Sequence, residues 1–107
     1  MPEVLLSSKD DNFILTLREG TLRDGTPYKK LEVKSQGLAD KHVVEIRLEE
    51  DYFSHTPKYS GVYIAHGMRM QSDSLSETAE YIKVLEEALD FAYRINSYIE
   101  NHSEWKK

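Results

Sequence analysis

From Leu75 to His102 the chain contains neither proline nor glycine. The run begins at Ser74-Leu75-Ser76-Glu77, a capping box in which the serine hydroxyl accepts the third helical amide and Glu77 can reach back. Together these predict one helix over about residues 75–102. Twenty-seven helical residues span roughly 40 Å at 1.5 Å per residue. In a chain of 107 residues that is a quarter of the molecule, and more length than a small sheet needs to cover it. Whatever precedes the helix must supply the second layer of the fold.

The helix carries too much apolar surface for one contact. With successive residues about 100° apart, Ile82, Leu85, Leu89 and Ala92 form one stripe. Tyr81, Val84, Ala88, Phe91, Tyr98 and Trp105 form a second, and Ile95 and Ile99 lie between. Lys83, Glu86, Glu87, Asp90, Arg94, Ser97 and Asn101 leave only a narrow polar strip. An apolar arc of roughly 200° is about twice the stripe that faces a core. Either the sheet and Val4–Leu6 wrap the helix, or the second stripe meets another chain. The expectation adopted is a homodimer with Tyr81, Val84, Ala88, Phe91, Tyr98 and Trp105 at its interface.

The first two thirds alternate with period two. Val4–Ser8 is a short apolar-to-polar stretch, and Lys9-Asp10-Asp11-Asn12 reads as a turn. Phe13, Leu15 and Leu17 then share a face, as do Leu31 with Val33, Val44 with Ile46 and Leu48, and Val62 with Ile64, Met68 and Met70. Asp24-Gly25 signals a hairpin. A two-residue loop there would set Leu17 opposite Glu32, mixing core with solvent. Either a bulge at Gly20 or a longer loop around Leu22–Pro27 brings Leu17 opposite Leu31 or Val33. Ser35-Gln36-Gly37 with Asp40 marks another turn, and Ser54–Ser60 a loop. The reading is an α+β domain over 1–107: four or five antiparallel strands within 4–71, in a meander packed on the C-terminal helix.

Cysteine is absent, which removes disulfides, thiolate chemistry and cysteine-ligated metals. No apolar run reaches the ~20 residues of a membrane span. The N-terminal residues lack a basic n-region, so a cytoplasmic location is expected. The net charge is −5. Residues 1–11 carry −2, residues 12–71 carry +1 and residues 72–107 carry −4. That balance disfavours sequence-independent nucleic-acid binding, whose affinity comes from neutralised phosphates.

No catalytic constellation stands out. Glycine-rich phosphate loops, the serine nucleophile elbow and the zinc-protease helix motif are all missing. Asp51 and His55 are four apart but flank a strand end and a proline loop, and three or four converging metal ligands are not in view. No metal, cofactor or catalytic residue is therefore assigned. His66 shares the parity of Val62 and Ile64; it fits a satisfied histidine at a sheet end, or a polar group lining a small-ligand pocket. The outer sheet face collects Arg18, Tyr28, Lys30, Lys34, Arg47, Tyr63 and Arg69, interleaved with Glu32, Glu45 and Glu49. Rings between cations suit single-stranded nucleic acid. Cross-strand ion pairs such as Lys30–Glu45 or Arg47–Glu32 would explain the same residues as a solvated face. Glu86, Glu87 and Asp90 form a candidate acidic surface for a basic partner.

The order of elements over Phe13–His102, a meander and then one long helix, resembles PUR-type and positive-cofactor-type single-stranded nucleic-acid-binding domains. That resemblance implies a dimer binding through its sheet. Size and acidity also suit small phage or mobile-element proteins that inhibit by occupying a basic surface. The leading expectation is a non-enzymatic interaction protein, a homodimer that binds a protein partner. A single-stranded nucleic-acid binder comes second, and a ligand site or enzyme around His66 third.

Overall fold

The computed structural model describes residues 3–50, 57–66 and 74–107. Among the described residues five strands precede the long helix: β1 (Glu3–Ser7), β2 (Phe13–Thr21), β3 (Pro27–Ser35), β4 (Val44–Glu50) and β5 (Tyr59–His66). A short helix, α1 (Leu38–Lys41), joins β3 to β4, and α2 (Leu75–Asn101) closes the order. The arrangement is α+β with antiparallel sheets. Tyr59 and Ser60, expected in a loop, belong to β5. The strand expected to continue through Met68 and Met70 is described only to His66; those methionines, Arg69, Asp51 and His55 lie outside the described residues.

The five strands form two sheets, ordered β1-β2-β3 and β4-β5, rather than one continuous meander. Tyr59 shows why the ladder stops. Its hydroxyl accepts a hydrogen bond from the Leu31 N–H at 2.8 Å and donates to the Leu31 C=O at 3.2 Å. A buried phenol thus satisfies backbone groups on the open edge of β3 that a neighbouring strand would otherwise take. Burial pushes the Tyr59 hydroxyl up to about 12, which keeps it a donor even in strongly alkaline solution.

The β2–β3 hairpin takes the longer loop. Leu17 faces Leu31 and Leu15 faces Val33, with Gly20 in register opposite Tyr28 and no bulge between them. The Gly25 N–H bonds Leu22 O at 2.9 Å and the Leu22 N–H bonds Thr26 O at 2.8 Å. Gly25 stands at φ 88°, the left-handed position that closes a three-residue hairpin loop. Gly20 serves another purpose: the Tyr28 ring lies over it, so close that a Cβ would sit 2.6 Å from the phenol oxygen.

The helix starts where the capping box places it, with Ser74 Oγ accepting from the Glu77 N–H at 3.1 Å. After Asn101 the chain folds back. The Tyr59 N–H bonds Trp105 O at 2.7 Å and the Lys107 N–H bonds Tyr59 O at 3.2 Å, so the tail pairs with the start of β5.

One core fills the space between sheets and helix. Phe13, Leu15, Leu31, Val44 and Ile46 meet Val84, Ala88, Phe91, Ile95 and Ile99, with Trp105 beside Tyr59. This corrects the expected dimer interface. Val84, Ala88, Phe91 and Trp105 are at most 2% exposed and belong to the chain's own core. Ala88 lets the helix approach closely, and Phe91 stacks on Phe13 with ring centroids 6.4 Å apart. Tyr81 packs edge-on against His42 of the α1 corner, and Tyr98 is half-buried against the core with His102 stacked on it. The sheet chose the second stripe, which leaves the first outside.

Glu87 is also placed differently from the expectation. Rather than joining an acidic surface, it is buried, and its carboxylate holds the β1–β2 turn. It accepts from Ser8 Oγ, from Asn12 Nδ2 at 2.8 Å, and from the backbone N–H groups of Asp10 and Asn12, each at 3.2 Å. Burial by itself would raise its carboxyl, but these hydrogen bonds outweigh that and hold it below the usual carboxylate value.

Candidate interaction surfaces

Two surfaces remain once the core is assigned. The first is a groove of about 700 Å³ over the outer face where β3 and β4 run side by side. Alternation along these strands turns Lys30, Glu32, Lys34, Glu45, Arg47 and Tyr63 toward it. Four of the expected sheet-face residues, Lys30, Lys34, Arg47 and Tyr63, therefore meet in one place. Arg18 stands beside them, directly opposite Lys30. Tyr28 does not join them: its ring is committed to Gly20 at the far end of the hairpin.

Acids balance these bases locally. Glu32 takes both Arg18, at 3.4 Å, and Lys30, at 3.5 Å; Glu45 takes Arg47 at 3.0 Å. Among the described residues these pairs form in place of Lys30–Glu45 and Arg47–Glu32. Arg47 faces Tyr63 across the β4–β5 ladder, and Glu45 first, then Tyr63, hold its guanidinium above its ordinary value. Lys34 is the exposed cation of this face without an ion pair among the described residues. Asp40 and Glu50 add negative charge to the groove walls. The result is a groove with nearly balanced charge on its walls and apolar side chains such as Val33, Ile46 and Leu48 also in its lining. Exposed ion pairs of this kind contribute little to stability.

The second surface is the outer side of α2. Leu75, Ile82, Leu89 and Tyr93 are 89%, 49%, 56% and 75% exposed. Leu75, Ile82 and Leu89 recur every seven residues, and Tyr93 follows four after Leu89. On a 3.6-residue helix these spacings stack the side chains in one ridge, roughly opposite the core stripe. Leu85 and Ala92, half-buried, form the ridge's shoulder toward the core. Lys83, Glu86 and Asp90 line its other edge, all exposed. The seven-residue spacing was the signal for this surface; by periodicity Ile82 and Leu89 fell in the first stripe with Leu85 and Ala92, and Leu75 and Tyr93 in neither.

Among the described residues no group of three or more His, Asp or Glu is placed to hold a metal ion. His66 ends β5, paired with Val44, and its side chain lies outside the described part. His42 is engaged with Glu80, Nε2 to Oε1 at 2.9 Å, in a clamp that also holds Lys41 and ties α1 to α2. Among the described residues no helix is long and apolar enough to cross a membrane. No protein-family model, curated protein or solved structure matches the chain. The likeness to PUR-type domains therefore rests on element order alone, and the break between β3 and β4 departs from a continuous meander.

Proposed function

We propose that this chain is a non-enzymatic interaction protein, a homodimer that works by binding a protein partner. The observation that carries the reading is the outer ridge of α2. A contiguous set of large apolar side chains held in water on a rigid helix is costly to keep unless something covers it. The ridge carries the homodimer part of the reading, and charge carries the partner part: the C-terminal third of the chain holds −4. Charge of that sign favours encounter with a basic protein surface, and covering that surface would inhibit whatever it serves. The test places a photo-crosslinking phenylalanine analogue at Ile82 and at Tyr93 in the protein's native cells. Protein adducts at both positions support the reading, whereas none at either position removes it.

A second reading is single-stranded nucleic-acid binding in the groove, favoured by the unpaired Lys34 and the exposed ring of Tyr63. The pairing of Lys30, Arg18 and Arg47 with acids weighs against it, since affinity for phosphates needs cations in excess. Fluorescence anisotropy with labelled single-stranded DNA and RNA decides it. The expected result is no appreciable binding at physiological salt; submicromolar binding that Arg47→Glu abolishes would promote this reading over the first.

A further inference from the structure

We infer that the outer ridge of α2 pairs with the same ridge of a second copy, the two helices running antiparallel about a two-fold axis near Glu87. This deepens the proposed reading and rests on it, because it names the occupant of the ridge. Three observations lead there. The first is spacing: Leu75, Ile82 and Leu89, seven apart, with Leu85 and Ala92 three residues after Ile82 and Leu89, match the seam along which two helices pack with left-handed supercoiling.

The second is area. With the exposures above, the ridge leaves on the order of 500 Å² of apolar surface in water, large for a patch on a monomer. Two ridges with their shoulders approach the ~1,200 Å² where stable interfaces begin.

The third is charge. Lys83 and Asp90 are exposed on the same edge of the ridge, and neither has an ion pair among the described residues. They are seven residues apart, about 10 Å along the axis, too far to pair within one helix. In an antiparallel pair the same edge of each helix meets its copy, so the two Glu86 carboxylates face each other at the axis, a like-charge contact set between two Lys83–Asp90 pairs. An axis near residue 87 sets Leu85 against Leu89 of the second copy, and Lys83 beside its Asp90, each contact made twice by symmetry. A parallel pair would instead bring that edge against the side of the helix that the sheets already cover.

The absence of cysteine makes the test clean, since any introduced thiol is the only one. Single variants Glu86→Cys and Leu75→Cys are treated with a short bis-maleimide. In the antiparallel pair Glu86 lies about 3 Å along the axis from its copy and Leu75 about 36 Å from its own. Glu86→Cys is expected to give a covalent dimer and Leu75→Cys none. Sedimentation at 100 µM is expected to give twice the chain mass for the wild type and the single-chain mass for Leu89→Glu, with the circular-dichroism spectrum unchanged. Crosslinking of both cysteines to equal extent overturns the antiparallel register. A dimer that survives Leu89→Glu overturns this surface while leaving a homodimer standing. A wild-type monomer at 100 µM overturns the pairing; protein adducts at Ile82 and Tyr93 would then keep the ridge as a partner site, and their absence would remove that reading as well.

Discussion

The two long sides of α2 are made of similar residues and have opposite fates. The inner side, Val84, Ala88, Phe91 and Ile95, is sealed under the sheets, while the outer side, Ile82, Leu89 and Tyr93, stands in water. Hydrophobicity does not separate them. What does is shape at the centre of the contact. The inner side sets the small Ala88 between Val84 and Phe91, and Phe13 stacks on Phe91. The outer side is a ridge of branched and aromatic residues with the half-buried Leu85 and Ala92 set to one shoulder. A sheet beds closely against a small residue, and a ridge suits the groove of another helix.

The comparison breaks most visibly at Phe91. Truncation to Ala opens a cavity against Phe13 and should cost about 3–5 kcal/mol, enough to unfold a marginal domain. Urea denaturation measures it. A loss below 1 kcal/mol would mean the inner side is not the core.

Next comes the pair of neighbouring glutamates, one on each side of the divide. Glu87→Ala strands two backbone N–H groups, the Ser8 hydroxyl and the Asn12 amide, and should cost about 3 kcal/mol. Glu86→Ala should stay within about 0.5 kcal/mol in the monomer. The sign of the pH effect follows from the lowered carboxyl of Glu87. A group whose folded pKa lies below its unfolded one stabilises at pH above the unfolded value. That contribution is lost as pH falls through the folded value. The gap in melting temperature between wild type and Glu87→Gln should therefore be widest above about pH 5 and shrink in acid. A gap that grows on acidification would contradict the direction of the shift.

Val43 sharpens the contrast from outside the helix. It follows α1 at φ 55°, a left-handed conformation that a β-branched residue adopts only under strain, and its side chain is 55% exposed. Little packing offsets that strain. Val43→Gly should raise stability by about 1 kcal/mol, the relieved strain exceeding glycine's entropic cost. Lower stability would show that the valine side chain contributes more than its exposure indicates.

The parts of this architecture that were legible in the sequence are those set by local rules. The Ser74 cap, the length of α2 and the face shared by Phe13, Leu15 and Leu17 all follow from spacing and side-chain chemistry. Matching apolar faces narrowed the register of β2 on β3 to Leu17 opposite Leu31 or Val33, but decided neither between those two nor between a bulge and a longer loop. What was hidden depended on partners distant in the chain. Tyr59 stops the ladder by reaching Leu31, 28 residues earlier, and nothing near either residue announces it. Glu87 looked like surface because its neighbours are charged; its four donors come from a turn 75 or more residues away. Two apolar stripes on one helix are symmetric to a periodicity argument, and only the shape of the opposing layer decides between them.

The smallest effect is the most discriminating. Leu89→Ser removes a large apolar side chain, just as a core truncation does, but from a position already 56% exposed. At a protein concentration too low for association, its unfolding free energy should match the wild type within about 0.5 kcal/mol. At high concentration the two should part. A wild-type dimer gains stability by mass action, so its melting temperature rises with concentration. The Leu89→Ser protein should show a flat dependence. Calorimetry over a hundredfold concentration range separates the two roles an apolar residue can have, holding its own chain together or waiting for another. Parallel curves for the two proteins would place Leu89 outside any interface, and a large loss at low concentration would place it in the core.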